Sequence, residues 1–282
     1  MNGQDNSAQR EAWNGIMGDS WSTFQDALDE MMQPVSAKLF AAADIKSGER
    51  VLDVGCGCGP TTIAIAKLVA PKGHVTGVDI SGLLLQSARE RSAKLGLPLD
   101  FIEADASGHR FTATYDKIFS RFGVMFFADP ASAFKNLRTA LRPGGKITFA
   151  CWRKIEENPF MFELSAEVSK FVPMPPPPAS SGYMPGPASF GDKAFTQSML
   201  ESAGFRNVAI DAANLPLAMP GKTLEDRIAF YNRIGPSAGL AREATEAQRQ
   251  QVADITRRWV KARIDAGRTT QDGAIWLVRA TN

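Results

Sequence analysis

Histidine and cysteine are scarce in this chain of 282 residues: His74 and His109 are the two histidines, and Cys56, Cys58 and Cys151 the three cysteines. Zinc takes four ligands at recognisable spacing, and a C-x-C pair with one distant cysteine supplies none of the usual patterns. No metal is expected, and Cys56 and Cys58 read as small buried residues. An odd cysteine count also argues against a disulfide framework and for a reducing compartment. An excess of either charge is missing too. Lys+Arg 32 against Asp+Glu 30 leaves a net +2, too little to mark nucleic acid or an anionic membrane as the main partner. No apolar run approaches the ~20 residues that span a bilayer, and residues 1–10 lack the apolar centre of a signal peptide. A cytoplasmic protein without stable membrane insertion is expected.

What the chain does have is glycine where a ligand needs it. Val51, Leu52, Asp53 and Val54 run into alternating glycines at 55, 57 and 59, then Pro60 and an apolar helical pattern over 61–69. That order reads as a buried strand, a tight turn and a helix N-terminus. Glycine there removes the Cβ atoms that would hold a ligand off the backbone. The N–H groups and the positive end of the helix dipole are left to meet the ligand.

The strand–helix rhythm then repeats. Strands are predicted at 50–54, 74–79, 100–103, 115–121 and 146–152, with helices over 60–69, 83–95 and 130–141 between them and a turn at Arg142, Pro143, Gly144 and Gly145. This alternation predicts an α/β fold with a parallel sheet covered on both faces, its ligand edge at the strands' C-terminal ends. Residues 12–44 read as helical and form an N-terminal cap over 1–45. The core spans 46–155, and a proline-rich connector or lid spans 156–192. A core helix and strand occupy 193–216, a helical insertion 217–272, and a final strand 273–282.

Three acids sit at successive strand ends: Asp53 before the glycines, Asp79 ending the second strand and Asp105 after the third. Asp79 stands where a carboxylate accepts hydrogen bonds from a ribose diol. It can also cap the following helix. Asp105 can meet a purine amine or simply open the turn at 105–108. Asp53 can serve a ligand or hold the glycine loop, and Arg121 can touch a ligand or pair with a core acid. Pro60 stands where the dinucleotide fingerprint has its third glycine, which argues against a nicotinamide cofactor.

These segments, with Leu141, Arg142, Pro143, Gly144 and Gly145, resemble the class I S-adenosylmethionine-dependent methyltransferases, and especially the small-molecule branch similar to quinone- and lipid-biosynthesis enzymes. The resemblance is strong over about 47–152 and looser beyond it. It implies a Rossmann-like, doubly wound, mostly parallel seven-stranded sheet with an antiparallel last strand, plus helical cap segments. It also implies S-adenosyl-L-methionine as cofactor. Gly55, Cys56 and Gly57 would lie against its methionine part and Asp53 near its ammonium. Asp79 would hold the ribose, Ile80 would pack on the adenine, and Asp105 with Ala106 would read the adenine edge. Ser120 and Arg121 would line the methionine. Trp13, Asn14, Gly15 and Trp21 look like the cap found in part of the family, with Trp21 at the cofactor.

The acceptor is expected to be a small apolar or aromatic molecule, because Phe122, Met125, Phe126, Phe127 and Trp152 lie beyond strand ends, where parallel sheets bind ligands. Tyr183 and Tyr231, in the two noncore segments, are further acceptor candidates. His109 is a candidate base or a surface turn residue, and no catalytic residue is assigned. The alternatives are an RNA or protein methyltransferase, supported by the basic stretch at 257–263, and a noncatalytic cofactor-binding protein. Glu246 and Asp254 beside that stretch favour a solvated helix face.

Overall fold

The computed structural model describes residues 6–172 and 183–282, with the side chain of residue 243 left aside. The proline-rich run at 173–178 therefore lies outside the described residues. In chain order the elements are α1 (Ser7–Asn14), α2 (Ile16–Thr23), α3 (Gln25–Met31), α4 (Gln33–Ala43), β1 (Arg50–Val54), α5 (Pro60–Val69), β2 (His74–Asp79), α6 (Gly82–Ser92), β3 (Leu99–Glu103) and β4 (Tyr115–Arg121). They continue as α7 (Pro130–Ala140), β5 (Leu141–Trp152), α8 (Glu163–Val168), α9 (Lys193–Ser202), β6 (Arg206–Ala218), α10 (Leu224–Tyr231), α11 (Pro236–Glu243), α12 (Glu246–Asp265) and β7 (Thr270–Thr281).

The seven strands form one sheet in the order β3-β2-β1-β4-β5-β7-β6. β1 is the third strand of that order, parallel to β2 (Val51 beside Val75) and to the central strand β4 (Leu52 beside Ile118). β7 runs antiparallel between β5 (Phe149 opposite Val278) and β6. The sheet is thus parallel but for its last strand, as the resemblance implies. Its strands are apolar because helices cover both faces, and Phe119, Phe134, Phe149 and Phe190 are fully buried between the layers. The chain reverses order on either side of β1, so a crevice opens beyond the C-terminal ends of β1 and β4.

Three departures from the expected elements have local causes. The single helical span over 12–44 is four helices, each parted from the next by one residue. Gly15 breaks the first join, and Pro34, which has no N–H to donate, restarts the chain in the first turn of α4. β5 begins at Leu141 rather than Lys146. The Pro143-Gly144-Gly145 stretch loops out where Tyr115 and Lys117 face Leu141 and Lys146, a bulge that glycine permits. β6 and β7 are longer than expected because each pairs with the other along nearly its full length. The helical insertion is present as α10–α12, and capping boxes open α10 at Thr223 and α12 at Thr245.

Two bolts tie the caps to this frame. Buried Lys117 on β4 donates to the carbonyl of Ala43 (2.7 Å) and pairs with Glu49, anchoring the end of α4. Arg233, just after α10, donates to Ser20 Oγ on α2 (3.2 Å) and pairs with Asp19. The N-terminal helices and the insertion therefore meet over the crevice.

Candidate active site

The glycine turn is shaped by two different demands. Gly55, Gly57 and Gly59 all have positive φ (+67°, +54°, +79°), a region that side-chain-bearing residues enter only at a cost. At Gly55 a Cβ would also lie 2.5 Å from the Cα of Gly123, because the loop after β4 crosses here. At Gly57 a Cβ would meet nothing within 4 Å and would project into open space. That open space belongs to a cavity of 450 Å³ bounded by the turn, the ends of β2 and β4, the N-terminal helices and α11.

Asp79 lines this cavity at the end of β2. Its Oδ2 accepts from the N–H of Gly57 (2.8 Å) and its Oδ1 from that of Ser81 (2.9 Å). Burial raises its pKa, and these N–H bonds oppose the rise. Each oxygen keeps acceptor capacity for a second donor. Ile80, Asp105, Ala106, Gly55, Cys56, Gly57 and Trp21 line the same cavity, so most of the residues implied for the cofactor are brought together. Asp105 Oδ1 accepts from Ser107 N (2.9 Å) and from the side chain of Asn6 (2.9 Å), while Asn6 Oδ1 accepts from Ala128 N (2.7 Å). Asn6 thereby pins the start of α1 over the third strand's end. Nothing in the sequence pattern marks it, because its partners are 99 and 122 residues away.

Asp53 and Ser120 are elsewhere. Asp53 is fully buried beneath the turn and accepts from the hydroxyls of Thr61 and Thr62, each at 2.7 Å. Its partners are thus hydroxyls on α5 and not N–H groups of the loop. Its Oδ1 has no partner, and burial pushes the carboxyl up to about 6, against the pull of the two hydroxyls and Arg121. Ser120 donates to the carbonyl of Val54 (2.7 Å) and accepts from the N–H groups of Gly123 (3.2 Å) and Val124 (3.3 Å). Both residues stand outside the cavity lining: Ser120 braces the loop after β4, and Asp53 the first turn of α5. Arg121 pairs with a core acid, Asp29 (3.2 Å), and with Ser36 (2.9 Å), and it also lines the cavity.

Beyond Arg121 the walls turn apolar. Phe122 has a φ of +67°, an unusual conformation for an aromatic residue, and its ring stacks on Trp152 with centroids 4.2 Å apart. Met125, Phe126 and Phe127 continue this wall. Across the cavity, Trp13 packs edge-on against Trp21 (5.5 Å) and Phe126 (5.2 Å). Tyr183 and Tyr231, expected at the acceptor, do not line it. Tyr183 packs on Phe190 and Phe195. Tyr231 faces Trp259 and bonds Gln271 (3.3 Å), because its side of α10 turns inward to α12. The insertion instead contributes residues around Arg233, Pro236 and Arg242. His109 packs on Phe111, also outside the lining. The three cysteines are free and buried, and among the described residues no cluster of groups suited to a metal exists.

The cavity thus has a polar half, with a bare backbone floor and two carboxylates, and an apolar half. A nucleoside with a charged tail fits the first: a Cβ at Gly57 would fill the space, and Asp79 retains lone pairs facing it.

The model of a family described as a methyltransferase domain matches residues 45–204, more than half of the chain. An uncharacterised protein of Mycobacterium tuberculosis is 33% identical over 173 residues, 61% of this chain and 59% of that protein. The chain therefore spans somewhat more than half the length of this relative. Aklanonic acid methyltransferase DauC of a Streptomyces species is 30% identical over 52% of this chain and 67% of its own length. Among solved structures, phosphoethanolamine N-methyltransferase 2 of Haemonchus contortus, bound to S-adenosyl-L-methionine, superposes with a TM-score of 0.57 at 16% identity. That match covers 96% of this chain and 60% of that one. The YcgJ protein of Bacillus subtilis gives 0.55 at 15% identity over 88% and 97%.

Proposed function

The chain belongs to the methyltransferase-domain family, and we propose that it transfers the methyl group of S-adenosyl-L-methionine to a small apolar or aromatic acceptor. The observation that carries this reading is one cavity with two unlike halves, a glycine-floored acidic cradle at the ends of β1 and β2 and an aromatic chamber beyond β4. The cofactor supplies an activated sulfonium methyl. Gly55, Cys56 and Gly57 would bear its methionine part, Asp79 would accept from its ribose, and Asp105 with Ala106 would meet the adenine.

The chain's own contribution is alignment and exclusion of water. Holding two reactants in line can supply ~7–11 kcal/mol of a barrier, and the aromatic walls keep solvent from the reacting atoms. Among the described residues the charged side chains lining the cavity are Asp79, Asp105, Arg121, Arg233 and Arg242, and both carboxylates are assigned to the donor. An acceptor that is nucleophilic at neutral pH without a base, such as an acidic phenol or a thiol, fits that lining best. The DauC relative is named as an aklanonic acid methyltransferase, which supports a small-molecule acceptor.

An RNA acceptor is disfavoured by the state of the basic helix. Arg257 is paired with Glu225 (2.8 Å), Lys261 with Asp265 (2.7 Å), and Arg263 with Glu163 while lying over the Trp259 ring. Cations already paired have few counterions to release on phosphate binding. A screen of phenols, quinols and aryl thiols with labelled methyl donor tests the reading. Turnover of several of these is the expected result, and turnover confined to highly polar acceptors would contradict it.

A further inference from the structure

We infer that the acceptor is an aromatic carboxylate, its ring laid against Gly239 of α11 and its carboxylate held by Arg242. The inference rests on the methyl-transfer reading above and names the acceptor class of that same site.

α11 has two unlike sides. Ser237, Ala238 and Leu240 are buried, and the helix packs on α8 and α12. Gly235, Pro236, Gly239 and Arg242 line the cavity instead. Their spacing of three and four residues is that of one side of a helix.

Neither backbone nor packing requires glycine at position 239. Gly235 takes a φ of +99°, which glycine serves, but Gly239 lies inside the helix with no such conformation. Glycine there weakens a helix relative to alanine. A Cβ at Gly239 would meet no atom of the protein within 4 Å. The bare backbone therefore faces open cavity, which lets a flat ring approach the helix closely.

Arg242 is the cation left over beside that step. Three arginines line the cavity. Arg121 is paired with Asp29 and Arg233 with Asp19, whereas among the described residues the Arg242 guanidinium has no partner. The two cavity carboxylates are engaged elsewhere, Asp79 by Gly57 and Ser81, and Asp105 by Ser107 and Asn6. A guanidinium offers a planar fork of N–H donors that matches a carboxylate through two parallel bonds.

Contacts place this face at the aromatic chamber. α8, on which α11 packs, begins three residues after Phe160. Phe160 lies edge-on against Trp152 (5.7 Å), the ring that stacks on Phe122. α8 thus adjoins the aromatic wall at β5, on the far side of β4 from the donor cradle at β1 and β2.

The test uses 2-naphthoate and 2-naphthamide, the same ring with and without a charge at neutral pH. Binding is followed by quenching of the cavity tryptophans in the full chain saturated with S-adenosylhomocysteine. Wild type is expected to prefer the naphthoate by roughly 5- to 20-fold, and less so as salt is added. Arg242→Met should erase that preference while keeping the affinity for the amide. Gly239→Leu, a better helix former, should weaken both rings by roughly tenfold or more. S-adenosylhomocysteine affinity should be unchanged in both variants, which also reports that they are folded. Equal binding of the two rings to wild type, an undiminished preference in Arg242→Met, or full ring binding in Gly239→Leu would overturn the inference and leave the apolar-acceptor reading standing. Weakened S-adenosylhomocysteine binding in Arg242→Met would overturn it too, by giving the guanidinium to the donor. If S-adenosylhomocysteine binds but neither ring does, the apolar-acceptor reading fails and this inference with it.

Discussion

At the scale of single residues, the groups proposed to meet the donor differ from the groups buried beneath them. Gly57 belongs to the first. Its φ of +54° and the open space beyond it mean that Gly57→Ala adds both backbone strain of about 1–2 kcal/mol and a methyl group within the cradle. S-adenosylhomocysteine affinity, measured by calorimetry, should fall at least tenfold, and an unchanged value would show that the ligand lies elsewhere. Asp53 belongs to the second, and its behaviour with pH is distinct. Its folded pKa of about 6 stands above the ordinary 3.8 because burial disfavours the charged form. Ionisation therefore weakens the fold: the favourable difference is full below about pH 4 and is lost as pH rises through 6, an effect on the order of 3 kcal/mol. Asp53→Asn removes that dependence. In urea titrations without ligand, the variant should gain on wild type by roughly 2 kcal/mol between pH 4.5 and 8. Parallel pH profiles would show that the carboxyl does not titrate this way.

At the scale of elements, the N-terminal helices are latched as well as packed. Asn6 joins α1 to two loops of the core, and Asn6→Ala leaves the Ala128 N–H without that partner, a loss of about 1–2 kcal/mol. The expected outcomes are faster amide exchange in α1 and a drop in donor affinity of several-fold, both measurable on the same sample. This latch also shows where reading from sequence stops. The β1 turn, β2 with Asp79 and the strand alternation were legible because each is a local pattern: a strand, a turn and a helix start within about ten residues. The helical stripe Trp13, Met17, Trp21, Gln25, Leu28 and Met32 lines the cavity, but which way a helical face turns depends on partners far along the chain, and so Met17 and Gln25 went unmarked. The aromatic wall at Phe122, Met125 and Trp152 was legible from its place beyond the strand ends. Tyr183 and Tyr231 were not separable from true lining residues, because the inward side of an insertion helix is set by its neighbour, here α12. Asp53 was ambiguous for a related reason, since its two hydroxyl partners are close in sequence and yet common in any helix.

At the scale of the whole molecule, the caps meet each other across the cavity through Arg233 with Asp19 and Ser20. Occupancy of the cradle should therefore be felt in both. S-adenosylhomocysteine at 100 times its Kd should stabilise the chain by about 2.7 kcal/mol. Exchange of amides in α1 and α2 should slow with it, and equal exchange with and without ligand would count against a closing cap. The family match spans 45–204, whereas the helical stripe precedes it and the insertion's share of the cavity follows it. The cavity is thus walled by three stretches of chain: the family-matched core supplies the glycine floor and the aromatic wall, and the helices on either side of it supply the rest. Exchange of both flanking stretches between two relatives is expected to shift which acceptors are taken while the core keeps its donor.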